Sequence, residues 1–265
     1  MEAMVIPDPQ VPASVYSEAY FREWCAGYDE WVASDGKAVA GIYPGFLLRA
    51  GFRPGEVVVD MGTGRGELPA VAAKQGAAHA YGVEYSPDAV KMAQHTLDAH
   101  GVTDRAEIIL ADARSVPLAD GIADLVCFVD VVEHLTPVEL DAALRQAKRM
   151  LKPGGRVVAH TMPNRLIYDV TYRAQRLLPG RRAWEANPRV ENERVMHVNE
   201  QTVFSLRRAF RKAGLDADVT LGEWIYTDHV PDKKAKRTYR ILSKLGPLAH
   251  LGVGDLWATG RLPST

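Results

Sequence analysis

The stretch Val57-Val58-Val59-Asp60 runs without a break into Met61-Gly62-Thr63-Gly64-Arg65-Gly66, and no other part of the chain restricts the fold so strongly. Three β-branched residues ahead of an acidic one predict a buried strand. Glycines at every second position then predict a turn whose bare backbone approaches a ligand closely. The spacing is Gly-x-Gly-x-Gly. A dinucleotide-binding turn carries its third glycine one position later, where this chain has Glu67, so a pyrophosphate suits the turn less well.

Downstream, short apolar segments alternate with amphipathic ones. Strands are expected at 79–84, 106–111, 123–129 and 156–161, and helices at 67–75, 87–100 and 137–151, with a turn at Lys152-Pro153-Gly154-Gly155. Such alternation predicts an α/β fold around a parallel sheet. Residues 162–198 break the rhythm with an aromatic and arginine-rich insert that reads as a lid. Asn199 is then expected to cap a helix over 200–213 closed by Gly214, followed by a strand at 215–221. A second insert, 224–253, holds a basic helix, and 255–262 alternates like a final antiparallel strand. At the other end, Pro7, Pro9 and Pro12 mark an irregular arm, and Tyr16, Tyr20, Trp24, Tyr28 and Trp31 form an aromatic stripe at helical spacing.

With 32 lysines and arginines against 33 aspartates and glutamates, no whole-chain field draws this protein to a polyanion. Nucleic acid is therefore not an expected partner. The basic run Lys233, Lys234, Lys236, Arg237 and Arg240 reads as a solvated helix face. Only two cysteines are present, and Cys127 sits in an apolar run, as in a reduced, cytoplasmic chain. Neither a leader nor an apolar run of membrane-spanning length is visible, so membrane insertion is not expected. A homodimer is left open.

The ordered motifs resemble the class I S-adenosylmethionine (SAM)-dependent methyltransferases of the small-molecule type. Asp60, Gly62, Gly64 and Gly66 match that family's acidic residue and glycine turn at the end of the first strand. The resemblance implies that Glu84, at the end of the second strand, accepts hydrogen bonds from the ribose hydroxyls, with Tyr85 beside it. It implies that Asp112 and Ala113 face the adenine, and that Asp130, in the loop after the fourth strand, also lies against the cofactor. The Lys152–Gly155 turn matches a further family signature. The implied fold is a Rossmann-like, seven-stranded, mostly parallel sheet with the last strand antiparallel. Residues 1–54 would form an N-terminal arm and aromatic helical cap, and residues 55–265 a SAM-binding domain with the two lid inserts. The cofactor would be SAM and its product S-adenosylhomocysteine.

Asp130-Val131-Val132-Glu133-His134-Leu135 lacks the Asn/Asp-Pro-Pro-aromatic tetrapeptide of nucleobase amino methyltransferases, and no Asp-plus-Asp-Asn set implies a metal. A small-molecule acceptor follows, with a hydroxyl of a natural product, sugar or lipid-like intermediate as the leading expectation. C- or N-methylation, RNA or protein methylation, and SAM binding without transfer are the alternatives. A hydroxyl acceptor needs a base. His197, ahead of a helix at the lid's edge, is the first candidate and His134 the second, while His160 is expected to face the sheet core. Tyr20, Trp24, Tyr168, Tyr172, Tyr226 and His229 are candidate acceptor contacts.

Overall fold

A computed structural model describes residues 7–180, 185–222, 244 and 246–263. Seven strands, β1 (Val57–Met61), β2 (His79–Glu84), β3 (Ala106–Leu110), β4 (Ala123–Val129), β5 (Leu151–Thr161), β6 (Asp216–Leu221) and β7 (Leu256–Arg261), form one sheet in the order β3-β2-β1-β4-β5-β7-β6. The first five strands are parallel, and β7 runs antiparallel to both β5 and β6. This is the Rossmann-like sheet expected from the chain.

The helices are α1 (Glu18–Trp24), α2 (Tyr28–Ala33), α3 (Ile42–Arg49), α4 (Glu67–Lys74), α5 (Pro87–His100), α6 (Pro137–Met150), α7 (Arg173–Arg176), α8 (Glu191–Met196) and α9 (Val203–Lys212). Local chemistry starts the two longest. Ser86 caps α5 by accepting from the Ala89 N–H ahead of Pro87, and Thr136 and Glu139 form a reciprocal capping box at α6, where Pro137 fills the first turn.

Successive residues of a strand face opposite sides, so the central strands feed two cores. Val59, Met61, Val126 and Phe128 pack with Leu140 and Leu144 of α6 and Leu206 and Phe210 of α9. Val58, Leu125 and Cys127 face the other way, toward Phe46 and Leu47 of α3, Leu68 of α4 and Leu97 of α5. Truncating a wholly buried Phe128 or Phe210 to alanine would cost about 3–5 kcal/mol at such positions.

Three local expectations give way to tertiary structure. The Lys152–Gly155 turn is absorbed into β5: Leu151 pairs with Ala123 and Arg156 with Leu125, so the intervening residues bulge out of the ladder. The helix expected from residue 200 starts at Val203, capped by Thr202 rather than Asn199, because Gln201 uses its carbonyl to accept from the Arg165 N–H and Glu200 is turned inward. The aromatic stripe is divided between α1 and α2 by Gly27 at φ 78°. Tyr28 and Trp31 are buried against α5, with the Trp31 indole donating to Thr96 Oγ1 at 2.8 Å, while Tyr16, Tyr20 and Trp24 remain near the sheet's upper edge. Among the described residues no helix is long and apolar enough to cross a membrane.

The strand order changes direction between β1 and β4. In open parallel sheets the crevice beyond the carboxyl ends of such strands is the ligand position, and the glycine turn after β1 and the loop after β4 meet there.

Candidate active site

A cavity of about 570 Å³ opens at that switch point. One half is built by the turns after β1, β2 and β3. Asp60 is buried at the end of β1, accepts from Thr63 Oγ1 at 2.7 Å, and keeps its Oδ1 without a partner among the described residues. Burial pushes its carboxyl up to about 7. The turn then needs its glycines for specific reasons. A Cβ on Gly62 would lie 2.7 Å from Val131 Cγ2, and one on Gly66, at φ 75°, would lie 2.9 Å from the Ala93 Cα. Gly66 packs α4 against α5 and stands off the cavity wall, whereas Gly62 and Gly64 line it.

Glu84 closes this half. Its Oε2 accepts from the Gly64 N–H at 3.0 Å and its Oε1 from the N–H groups of Tyr85 and Ser86, both at 2.9 Å. Burial raises its pKa, and the three N–H groups oppose that rise. A carboxylate has room for about four such bonds, so one acceptor position remains after the glycine turn is stapled to β2. Tyr85 donates its hydroxyl to the Val11 carbonyl at 2.9 Å and holds the N-terminal arm over the opening. Asp112 is gripped by Arg114 through both oxygens, at 2.9 and 2.7 Å, and Ala113 lies on the wall beside them.

Arg65, not singled out from sequence, is buried on the same wall. Its Nε and Nη2 donate to Glu67 Oε2 at 3.0 and 2.8 Å, Nη2 also donates to the Ala26 carbonyl, and Nη1 has no partner among the described residues. The signal available was an arginine inside a glycine turn followed two positions later by an acid.

The other half is assembled from distant segments. Asp130 follows β4 at φ 53° and interacts with His160 Nδ1 at 2.7 Å, and His160 Nε2 lies 3.0 Å from Asp255 Oδ1. His160 faces the core as expected, yet as part of an ion triad. Burial opposes its charge, but the two aspartates outweigh that and push its pKa up to about 10. Glu133, in the turn after β4, accepts from Thr161 Oγ1 at 2.6 Å, and burial together with the Asp130 charge pushes its carboxyl up to about 7.

His134 and His197 meet here with ring centroids 5.0 Å apart and nearly perpendicular planes. Burial, helped by His197, pushes His134 down to about 3 and leaves it neutral. Burial also acts against charge on His197, but Glu200 and Glu133 outweigh it and raise its pKa. Its Nδ1 lies 3.7 Å from Glu200 Oε1, an ion-pair distance rather than a hydrogen bond.

Tyr20 and Trp24 line the cavity together with Tyr16 and with Phe21, which lies against the Gly64 turn. Tyr168 and Tyr172 do not. The Tyr168 hydroxyl donates to Glu193 Oε1 at 3.3 Å beneath Arg189, and the Tyr172 hydroxyl donates to the Glu185 carbonyl at 3.1 Å on the exposed side of the insert. Tyr226 and His229 lie outside the described residues, as does the basic run at 233–240. Glu133 and Glu193, both on the wall, were not marked by any local pattern.

Residues 59–159 match the family described as a methyltransferase domain. The segment from β1 to β5 is thus similar to the SAM-dependent methyltransferases. An uncharacterized methyltransferase of Geobacillus kaustophilus is 28% identical over 141 residues, covering 52% of this chain and 63% of that protein. A probable fatty acid methyltransferase of Pseudomonas putida is 28% identical over 145 residues, covering 55% of this chain and 35% of that protein. The chain thus spans less than two thirds of the length of these curated relatives. In fold, a putative methyltransferase of Haloferax volcanii, solved in a complex with the Trm112 methyltransferase activator, aligns with TM-score 0.60 at 19% identity over 98% of this chain and 100% of that one. The methyltransferase domain therefore contributes the glycine turn, Glu84 and the Asp130–His134 loop, while α1, α8 and the segment between β5 and α9 complete the cavity from outside residues 59–159.

Proposed function

We propose that the chain binds SAM in the half of the cavity formed by Asp60, Gly62, Gly64, Glu84 and Asp112, and transfers its methyl group to a small molecule held in the half that contains His197. The observation that carries this reading is the continuity of one cavity from Glu84 to His197, which leaves room for a donor and an acceptor side by side. In-line transfer from a sulfonium makes a neutral thioether leaving group, so positioning supplies most of the catalysis.

The wall chemistry supports an uncharged, largely apolar acceptor. Tyr16, Tyr20, Phe21, Trp24, Met162 and Pro163 provide rings and apolar surface, Glu193 provides negative charge to which Glu133 adds as it ionises, and the two arginines among the described wall residues, Arg65 and Arg114, are already paired with Glu67 and Asp112. A phosphate or carboxylate would meet repulsion there. Among the described wall residues a nucleic acid would find no row of cations with which to release its counterions. For a hydroxyl acceptor, the oxygen lone pair forms the O–C bond as the C–S bond breaks, and the proton leaves on the His197 side.

Incubation with SAM and a panel of phenols, alcohols and amines, read as S-adenosylhomocysteine formed, tests the reading. Turnover of uncharged hydroxyl compounds is expected. Turnover confined to RNA, protein or phosphorylated acceptors would overturn it.

A further inference from the structure

We propose that Glu133, His134 and His197 bind one divalent transition-metal ion, such as zinc, manganese or cobalt, on the acceptor side of the cavity. One donor atom from each residue lies within 4.8 Å of the other two. Donors around a shared ion at about 2.0–2.2 Å stand roughly 3–4 Å apart, so a closure of about 1 Å brings all three into coordination range. Two imidazoles with one carboxylate suit first-row transition metals, whereas magnesium and calcium take oxygen ligands.

Observations beyond proximity support the site. His134 keeps a buried Nδ1 with no hydrogen-bond partner among the described residues, and His197 Nδ1 has only the ion-pair contact with Glu200 at 3.7 Å. Buried polar atoms are nearly always paired, so the unpartnered His134 nitrogen beside a second imidazole and a carboxylate leaves a lone pair available to a ligand. The carboxylate is held by the 2.6 Å hydrogen bond from Thr161 Oγ1, the kind of outer contact that orients metal-binding carboxylates. The Asn199 N–H donates to the Glu133 carbonyl at 3.0 Å and ties the His197 segment to the loop that carries the other two ligands.

All three residues line the cavity, so with three protein ligands the remaining coordination positions open toward the acceptor. The site stands on this geometry; its use rests on the methyl-transfer reading. A hydroxyl coordinated to the ion loses its proton to solvent far more readily than a free one, and its oxygen then takes the methyl group as the sulfonium becomes a thioether. In the ion-free chain His197 is itself the proton acceptor; with the ion bound it is a ligand. Such a site departs from the expectation, drawn from the missing Asp-plus-Asp-Asn set, that no metal is involved.

The test uses the full chain without a histidine tag, stripped with a chelator and titrated with Co²⁺ while the visible absorption of the ion is followed, with Zn²⁺ as competitor. One equivalent of Co²⁺ is expected to give ligand-field bands that Zn²⁺ abolishes. His134→Ala and His197→Ala should each weaken uptake at least 100-fold. Thr161→Val, which removes only the hydroxyl behind Glu133, should weaken it about 10-fold. Absence of bands in the wild type, or uptake by both histidine variants equal to that of the wild type, overturns the proposal. SAM binding measured on the same samples separates the two readings: SAM binding without Co²⁺ uptake removes the metal site and leaves the methyltransferase, and Co²⁺ uptake without SAM binding does the reverse.

Discussion

The half of the cavity proposed to hold SAM is held by backbone, and the half proposed to hold the acceptor by side chains brought from far apart. Glu84 spends three of its acceptor positions on the N–H groups of Gly64, Tyr85 and Ser86, and Gly62 and Gly66 are required by close approach to Val131 and Ala93. On the other side Glu133, His134 and His197 present polar atoms toward one another, and α1 supplies aromatic surface. A turn fixed by its own backbone holds a constant ligand; a wall made of exchangeable side chains sets a variable one. Substitutions should accordingly separate into those that move SAM affinity and those that move turnover.

The largest effect is expected at His197. His197→Ala should lower turnover by about 10²–10⁴-fold in steady-state assays while SAM affinity stays within about two-fold. An equal loss of SAM affinity would erase the distinction between the halves.

Removing His160 takes an ion-pair partner from the wholly buried Asp255 carboxylate, a change of about 3–5 kcal/mol that should lower the thermal midpoint by on the order of 10 °C. The pH dependence has a definite sign. His160 is raised from its ordinary 6.5 to about 10 in the fold, so its contribution is fully present below pH 6.5 and is lost as pH rises through about 10. Thermal melts of the wild type should decline across that window, and those of His160→Ala should be flatter there. A parallel decline would show that the triad with Asp130 and Asp255 is not the source.

Gly66→Val places a Cβ against the Ala93 backbone at a left-handed φ of 75° and should cost SAM affinity on the order of 10–100-fold, measured by calorimetry. The smallest effect is expected at the rim. Trp24→Ala should raise the acceptor KM about 5–10-fold with SAM affinity unchanged.

The same contrast explains what could be read from sequence. The strand ends, the glycine turn and the order of β1 to β5 are encoded within short windows, by β-branched runs and by glycines that a close approach requires. The beginning of α9 was misplaced because Arg189, outside any local window, draws Glu200 inward and leaves 200–202 extended. The Lys152–Gly155 segment carries the composition of a turn, yet it is a bulge, since Leu151 already pairs with Ala123. The stripe of rings was read as one face, and only Gly27, at positive φ, divides the buried pair from those at the cavity. The cluster of Glu133, His134 and His197 was out of reach because the contact that assembles it, Asn199 to Glu133, joins two loops on opposite sides of an insert.

Calorimetric titration of SAM into the wild type and Glu84→Ala, with thermal melts confirming that both are folded, tests the central claim most directly. The wild type is expected to bind one SAM per chain and Glu84→Ala to bind it about 10–100-fold more weakly. A wild type that binds no SAM, or a folded Glu84→Ala that binds it equally well, would contradict the account.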